Sequence, residues 1–155
     1  MDNLLKYRYR YLILKVSGGD FADASLAKNK NMKILIIDDE ANAAMTLKAL
    51  LMSQDNLEID IAYNGKEGLE KMSAANPGYN FLILDVMMPD FSGLDVCKAM
   101  SIDEKLKKIP IILASALPIN SKELQDLLNE FKAAVTIKGV LEKPFVLDDL
   151  LVFLK

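Results

Sequence analysis

The sequence contains no histidine, no tryptophan and a single cysteine, Cys97. The missing histidine excludes the most. It removes Ser-His-Asp hydrolysis, histidine-liganded zinc and histidine general acid–base catalysis. One cysteine cannot form a disulfide within the chain, which fits a reducing compartment. With no histidine to activate it, Cys97 reads as a small core residue on a helix. No apolar run reaches the ~20 residues that a membrane-spanning helix needs. The segment YLILKV (11–16) is too short, and its flanks are unlike those of a cleaved signal peptide. The expected setting is cytoplasmic, without membrane insertion.

What is present suits one domain and a little more. The chain has 155 residues, and 52% of them are hydrophobic, enough for a core without disulfides. The net charge of −3 is uneven: residues 1–31 carry six Lys/Arg and three Asp/Glu, and the remainder carries thirteen and nineteen. An acidic body argues against nucleic acid as the main ligand. The boundary falls near Lys30–Met32. Residues 1–31 read as an N-terminal extension, basic and tyrosine-rich and then rich in Gly, Ala, Ser and Asn. Within it, residues 7–16 could add a strand or remain a loose tail, and Met32 could itself be a start codon. Residues 32–155 form the domain.

From residue 32 onward, strand and helix patterns alternate. KILII (33–37), EIDIAY (58–63), NFLILD (80–85), IPIILAS (109–115) and IKGVLEK (137–143) read as strands. Between and after them, residues 41–53, the stretch from Gly65 to the break at Asn76-Pro77-Gly78, 93–100, 122–132 and 147–155 read as helices. On the first helix the apolar stripe is Ala44, Leu47 and Leu51, joined by Ala43 and Leu50. On the fourth, capped by Ser121, it is Leu124, Leu127, Leu128 and Phe131. Such alternation predicts an α/β fold, a doubly wound five-stranded parallel sheet with helices on both faces. The ligand site of such a sheet lies outside the carboxyl ends of its strands. The polar residues closing the apolar strands are Asp38-Asp39-Glu40, Asp85, Ser115 and Lys143. They can meet in one crevice.

Three carboxylates in one crevice repel, which raises a pKa or demands a cation. Oxygen-only ligands with room for water and phosphate suit Mg2+. Lys143 adds a fixed positive charge and Ser115 a hydroxyl donor, so metal, ammonium and hydroxyl can serve three phosphate oxygens. That set fits phosphoryl transfer, where positioning and charge neutralisation dominate catalysis. Asp85 stands alone at its strand end, whereas Asp38 and Asp39 are paired for metal binding. Asp85 is therefore the better nucleophile.

MKILIIDDE, FLILDVMMPDFSGLDVCKAM, IPIILASA and LEKPF resemble, in order, the signature blocks of the response-regulator receiver family of two-component signalling. The resemblance spans roughly residues 32–155 and implies the flavodoxin-like receiver fold. It implies a phosphoryl group accepted on Asp85 from a partner phosphohistidine, with Mg2+ as cofactor. Asp39 would bind Mg2+ directly, Asp38 largely through water, and the backbone carbonyl of Met87 would be a further ligand. Lys143 and Ser115 would contact the phosphoryl group, and the Lys143–Pro144 bond would be cis. Pro89 and Gly93 would shape the loop after Asp85. The implied partners are a sensor histidine kinase or histidine phosphotransfer protein upstream and a target protein downstream. Because the chain stops after its last helix, it is expected to act as a stand-alone receiver without direct nucleic-acid contact; a fragment of a larger protein is the alternative.

Three departures from the family pattern stand out. Val140 occupies the position, three before Lys143, that usually holds an aromatic switch residue. The stretch from Ser115 to Lys143 is several residues longer than usual, with the excess placed near 131–138. The two positions that tune hydrolysis in this family, two after the acceptor and two after the serine, are Met87 and Leu117. Neither can orient a water, so self-dephosphorylation is expected to be slow. Beyond its own phosphorylation and that hydrolysis, no enzyme activity is expected. The Met87 and Met88 side chains read as packing, and Asp148-Asp149 as a solvated face. An aspartyl-phosphate phosphatase would place its second Asp two residues after the first; here the pair is adjacent. A pseudo-receiver, binding proteins without phosphorylation, is the runner-up, and Val140 leaves it room.

Overall fold

The computed structural model describes residues 31–155, and the readings made for residues 1–30 lie outside the described residues. The element order is β1 (Met32–Ile37), α1 (Ala41–Leu51), β2 (Leu57–Ala62), α2 (Gly65–Ala74), β3 (Phe81–Asp85), α3 (Gly93–Ser101), β4 (Ile111–Ser115), α4 (Lys122–Phe131), β5 (Ile137–Glu142) and α5 (Leu147–Leu154). A 3-10 turn at Leu106–Lys108, not anticipated from the sequence, leads into β4.

All strand pairings are parallel, in the order β2-β1-β3-β4-β5. Both faces of the sheet are covered, which is why the central strands are apolar without interruption. Ile34 and Ile36 of β1 face one side, with Ala44 and Leu51 of α1 and Leu150 of α5. Leu35 and Ile37 face the other, with Met72 of α2, Cys97 and Met100 of α3, and Leu124 and Leu128 of α4. Cys97 is a core residue as expected, and burial raises its thiol pKa to about 12, so it is inert.

Two helix details correct the sequence reading. Leu50 was placed in the buried stripe of α1 but is 44% exposed. The stripe follows Ala44 and Leu51, one heptad apart, and Leu50 falls to its outer side. Asp149 is more than a solvated acid: its carboxylate accepts the Val146 amide at the start of α5. The long connection to β5 turns tightly at 132–136. Thr136 accepts the Ile111 amide through its carbonyl and donates its hydroxyl to the Lys107 carbonyl. The register then shifts between Ile111 and Ile112, leaving Lys138 as the extra residue of a bulge. This connection is thus tied down at the amino ends of β4 and β5.

The chain leaves β1 toward β2 and returns to the other side of β1 at β3. The carboxyl ends of β1 and β3 thus flank the point where strand order reverses, where sheets of this kind open a crevice.

Candidate functional site

In register, Ile37 of β1 lies beside Leu84 of β3, so the next residues, Asp38 and Asp85, emerge side by side. Asp85 in turn pairs with Ala114 of β4, and Ser115 with Glu142 of β5. Lys143 follows β5 directly, its amide donating to the Ser115 carbonyl at 2.8 Å. Parallel register alone therefore gathers five polar residues at one end of an apolar sheet.

Lys143 joins the acids. Its Nζ lies 3.0 Å from Asp38 Oδ2 and 3.1 Å from Asp85 Oδ2. The other carboxylate oxygens are held by backbone: Asp38 Oδ1 accepts the Glu40 amide at 2.9 Å, and Asp85 Oδ1 accepts the Met87 amide at 3.0 Å. Asp38 and Asp85 are buried, and Asp39 is exposed at the rim. Burial pushes the Asp85 carboxyl above the ordinary aspartate range, against the pull of the Met87 amide and Lys143. Burial also disfavours the Lys143 ammonium, but the two carboxylates outweigh it and hold the amine above its usual value. Both directions describe one cation stretched over two acids.

Carboxylate oxygens of Asp38, Asp39 and Asp85 can lie within 4.8 Å of one another. An all-oxygen set of this size, with one acid facing solvent, fits a hard divalent cation. Asp38 is no mere helix cap. The cap position of α1 belongs to Glu40, whose side chain makes no capping bond, and Asp38 takes only the Glu40 amide with one oxygen while its other faces Lys143.

Ser115 is fully buried, and its hydroxyl accepts the Leu117 amide at 3.0 Å. Of Met87 the structure shows an amide that donates a hydrogen bond to the Asp85 carboxylate, and the residue is 57% exposed. Its side chain was read as packing from the sequence. It points outward because the amide turns back onto the acceptor. Met88, the next residue, is the buried one. Gly93 sits where a Cβ would stand 2.4 Å from the Asp85 carbonyl oxygen, so only glycine lets α3 begin this close to the acceptor strand. The Ser92 and Asp95 capping box fixes that start. The Lys143–Pro144 bond is cis, as is Asn76–Pro77. Val140, in place of the usual aromatic, is buried among the residues of the α3 and α4 face.

A cleft of about 490 Å³ opens from the acids along α1, lined by Asn42, Thr46, Leu47 and Leu50 on one side and Pro144 and Phe145 on the other. Sequence reasoning missed these walls. It also missed Glu142, whose carboxylate reaches the Ile119 amide across the β4–α4 connection. A polar residue two after the buried Val140, on the same face of β5, was the available signal.

Residues 34–155 match the family described as Response regulator receiver domain. Among named relatives, Response regulator ArlR of Staphylococcus saprophyticus is 38% identical over 84 residues, which are 54% of this chain and 36% of that protein. ArlR of Staphylococcus haemolyticus is 39% identical over 83 residues, 54% of this chain and 35% of that protein. The matched segment thus spans about a third of the length of these relatives. Among solved structures, chemotaxis protein CheY4 of Vibrio cholerae superposes with a TM-score of 0.68 at 27% identity, covering 79% of this chain and 95% of that one. The CheX-CheY-BeF3-Mg+2 complex of Borrelia burgdorferi gives 0.65 at 25% identity, covering 79% and 86%. Sequence match, strand order and the placing of the acids agree, and the chain belongs to the response regulator receiver domain family.

Proposed function

We propose that Asp85 accepts a phosphoryl group from a phosphohistidine on a partner protein, in a Mg2+-dependent reaction, and that the modified chain signals by protein contact. The Lys143 ammonium bridging the buried carboxylates of Asp38 and Asp85 carries this reading. A structural ion pair needs one acid. Two acids and one lysine leave a negative charge that invites a cation, and a lysine ready to turn toward a third anion.

In the reaction an Asp85 carboxylate oxygen attacks phosphorus. The bond from phosphorus to the partner's imidazole nitrogen breaks, and its electron pair stays on the imidazole. Lys143 then turns from the Asp85 carboxylate to an oxygen of the phosphoryl group. The Ser115 hydroxyl donates a hydrogen bond to another, while its lone pair still accepts the Leu117 amide. Asp38, Asp39 and Asp85, with the Met87 carbonyl, would hold Mg2+, which supplies positive charge to the transferring oxygens. The chain catalyses only its own modification and slow hydrolysis. The solved Borrelia relative, a CheY with BeF3, Mg and CheX, supports both the ion and the signalling by contact.

Upstream, the partner is a sensor histidine kinase or histidine phosphotransfer protein. The outer face of α1 suits it: every exposed residue there, Ala41, Asn42, Met45, Thr46, Ala49 and Leu50, is uncharged, and the helix starts at the acids. Among the described residues no helix is long and apolar enough to cross a membrane.

Intact mass after incubation with Mg2+ and acetyl phosphate tests the reading. A gain of one phosphoryl group is expected, absent in Asp85→Asn and after chelation of the metal. No gain in the wild type would favour a pseudo-receiver, the reading that the buried Val140 leaves open.

A further inference from the structure

Val140, on the α3 and α4 side of β5, is small and buried. A polar connection runs along the same side, at the ends of β4 and β5. Ser115 and Glu142 are register partners at the ends of β4 and β5. The Ser115 hydroxyl accepts the Leu117 amide, and the Ser115 carbonyl accepts the Lys143 amide. Two residues further along, the Ile119 amide donates to Glu142 Oε2 at 3.3 Å, and the Ile119 carbonyl accepts from the Gln125 carboxamide of α4 at 2.7 Å. The chain from Ser115 to Ile119 is thus tied back to residues 142–143 at both ends, and outward to α4 at Ile119. Pro118 stiffens the span between Leu117 and Ile119 by fixing one backbone torsion.

We infer that Glu142 is a positioning residue that acts through Ile119 and Leu117 on Ser115, and that Gln125 passes the resulting movement to α4. This rests on the phosphoryl-acceptor reading of Asp85. When the Ser115 hydroxyl turns toward a phosphoryl oxygen, the Leu117 amide must follow it or lose its partner. A stiff loop carries that displacement to Ile119. There the longer bond, to Glu142, yields before the shorter one to Gln125. Glu142 therefore biases the unmodified chain toward its resting arrangement, and Gln125 keeps α4 coupled to the loop. A latch of this kind shifts a two-state equilibrium by the energy of one hydrogen bond.

The test compares wild type, Glu142→Ala, Glu142→Gln and Gln125→Leu in three measurements on the same samples. These are intact mass with Mg2+ and acetyl phosphate, the rate of that gain, and backbone amide resonances of Leu117, Ile119 and α4. For Glu142→Ala the rate rises about three- to ten-fold, the scale of one hydrogen bond. Its unmodified Ile119 and Gln125 resonances lie part-way to their phosphorylated positions. Glu142→Gln, which keeps a carbonyl acceptor, returns to wild-type behaviour. Gln125→Leu keeps the phosphorylation shift at Leu117 and Ile119 and loses it in α4. A Glu142→Ala protein that gains mass at the wild-type rate with wild-type resonances overturns the inference. So does a Gln125→Leu protein whose α4 still responds. No mass gain in any sample, wild type included, would instead bring down the acceptor reading and this inference with it.

Discussion

Lys143 Nζ stands 3.1 Å from Asp85 Oδ2, although the two residues are 58 positions apart in the chain. The contact exists because β3, β4 and β5 lie side by side in parallel and end together. It is also the contact that phosphorylation would have to rearrange. Lys143→Met should lower the rate of acetyl phosphate labelling by about 100-fold, the scale of losing one preorganised charge at a developing anion. It should also destabilise the metal-free protein by about 2 kcal/mol, less than for a fully buried pair because Lys143 keeps some solvent contact. Lys143→Arg should not restore labelling, since a planar fork cannot replace a compact ammonium between two acids. Labelling kinetics and urea melts of the three proteins check this.

The raised carboxyl of Asp85 gives a stability prediction with a definite sign. The folded chain binds the Asp85 proton more tightly than the unfolded chain does. Stability therefore falls as pH rises from the ordinary aspartate range through the folded value. Asp85→Asn removes this cost while leaving Lys143 with Asp38 and the Met87 amide with a carbonyl oxygen. The variant should be more stable than wild type at pH 7, by about 1–2 kcal/mol, the size of an ordinary single-site effect. The difference should shrink as pH drops below the ordinary aspartate range. Saturating Mg2+ should narrow it at pH 7 by stabilising only the wild type. Denaturation series with and without Mg2+ decide it. Equal stability at both pH values would mean that burying the Asp85 charge costs the fold nothing.

Much of this site was legible because strand ends announce themselves. An apolar run that stops at a polar residue, as at Leu84-Asp85, marks the carboxyl end of a buried strand, and four such runs with the alternating EIDIAY imply one sheet. The acids, Ser115 and Lys143 could be placed at one end by that reasoning alone. The orientations could not. Leu50 looks apolar, yet it lies one residue off the Ala44 and Leu51 stripe and faces out. Met87 looks like its neighbour Met88, yet the bond of its amide to Asp85 turns its side chain to solvent. Glu142 could be marked as a polar residue on the Val140 face of β5, but its partner could not be read, because that partner is the Ile119 amide, 23 positions away, and no local pattern encodes a side chain meeting a distant backbone.

The exposed Met87 side chain and the half-buried Leu117 bear on the lifetime of the modified state. Met87 follows the acceptor by two residues and Leu117 follows Ser115 by two, and their backbone amides are already spent on Asp85 and Ser115. Neither side chain can accept a proton from an attacking water. The phosphorylated chain should then lose its mass gain over many minutes, not seconds. Placing an acceptor there, as in Met87→Asn or Leu117→Glu, should speed hydrolysis about ten-fold, within the range of one positioned polar group. Intact mass followed after removal of acetyl phosphate gives the rate. A half-life of seconds in the wild type would contradict the idea, and unchanged decay in both variants would show that water is positioned by other groups.

The uncharged face of α1 gives a prediction that separates partner contact from chemistry. Met45 and Leu50 are well exposed, and the one charged residue of the helix, Lys48, is half-buried. The cleft that Leu50 lines leads directly to Asp38 and Asp85. A small-molecule donor needs the acids and Lys143 alone. A protein donor must also seat its histidine over them, and an apolar helix face beside the cleft offers the area to do so. Leu50→Glu should therefore leave acetyl phosphate labelling unchanged. Transfer from a phosphorylated histidine phosphotransfer protein should fall by about ten-fold or more, the cost of a buried charge in an apolar contact. Met45→Glu should do the same by a smaller factor, because it lies farther from the cleft wall. If both donors slow equally, the substitution has disturbed the site itself. If neither slows, the protein donor approaches from the side of Met87, and the face of α1 serves another contact.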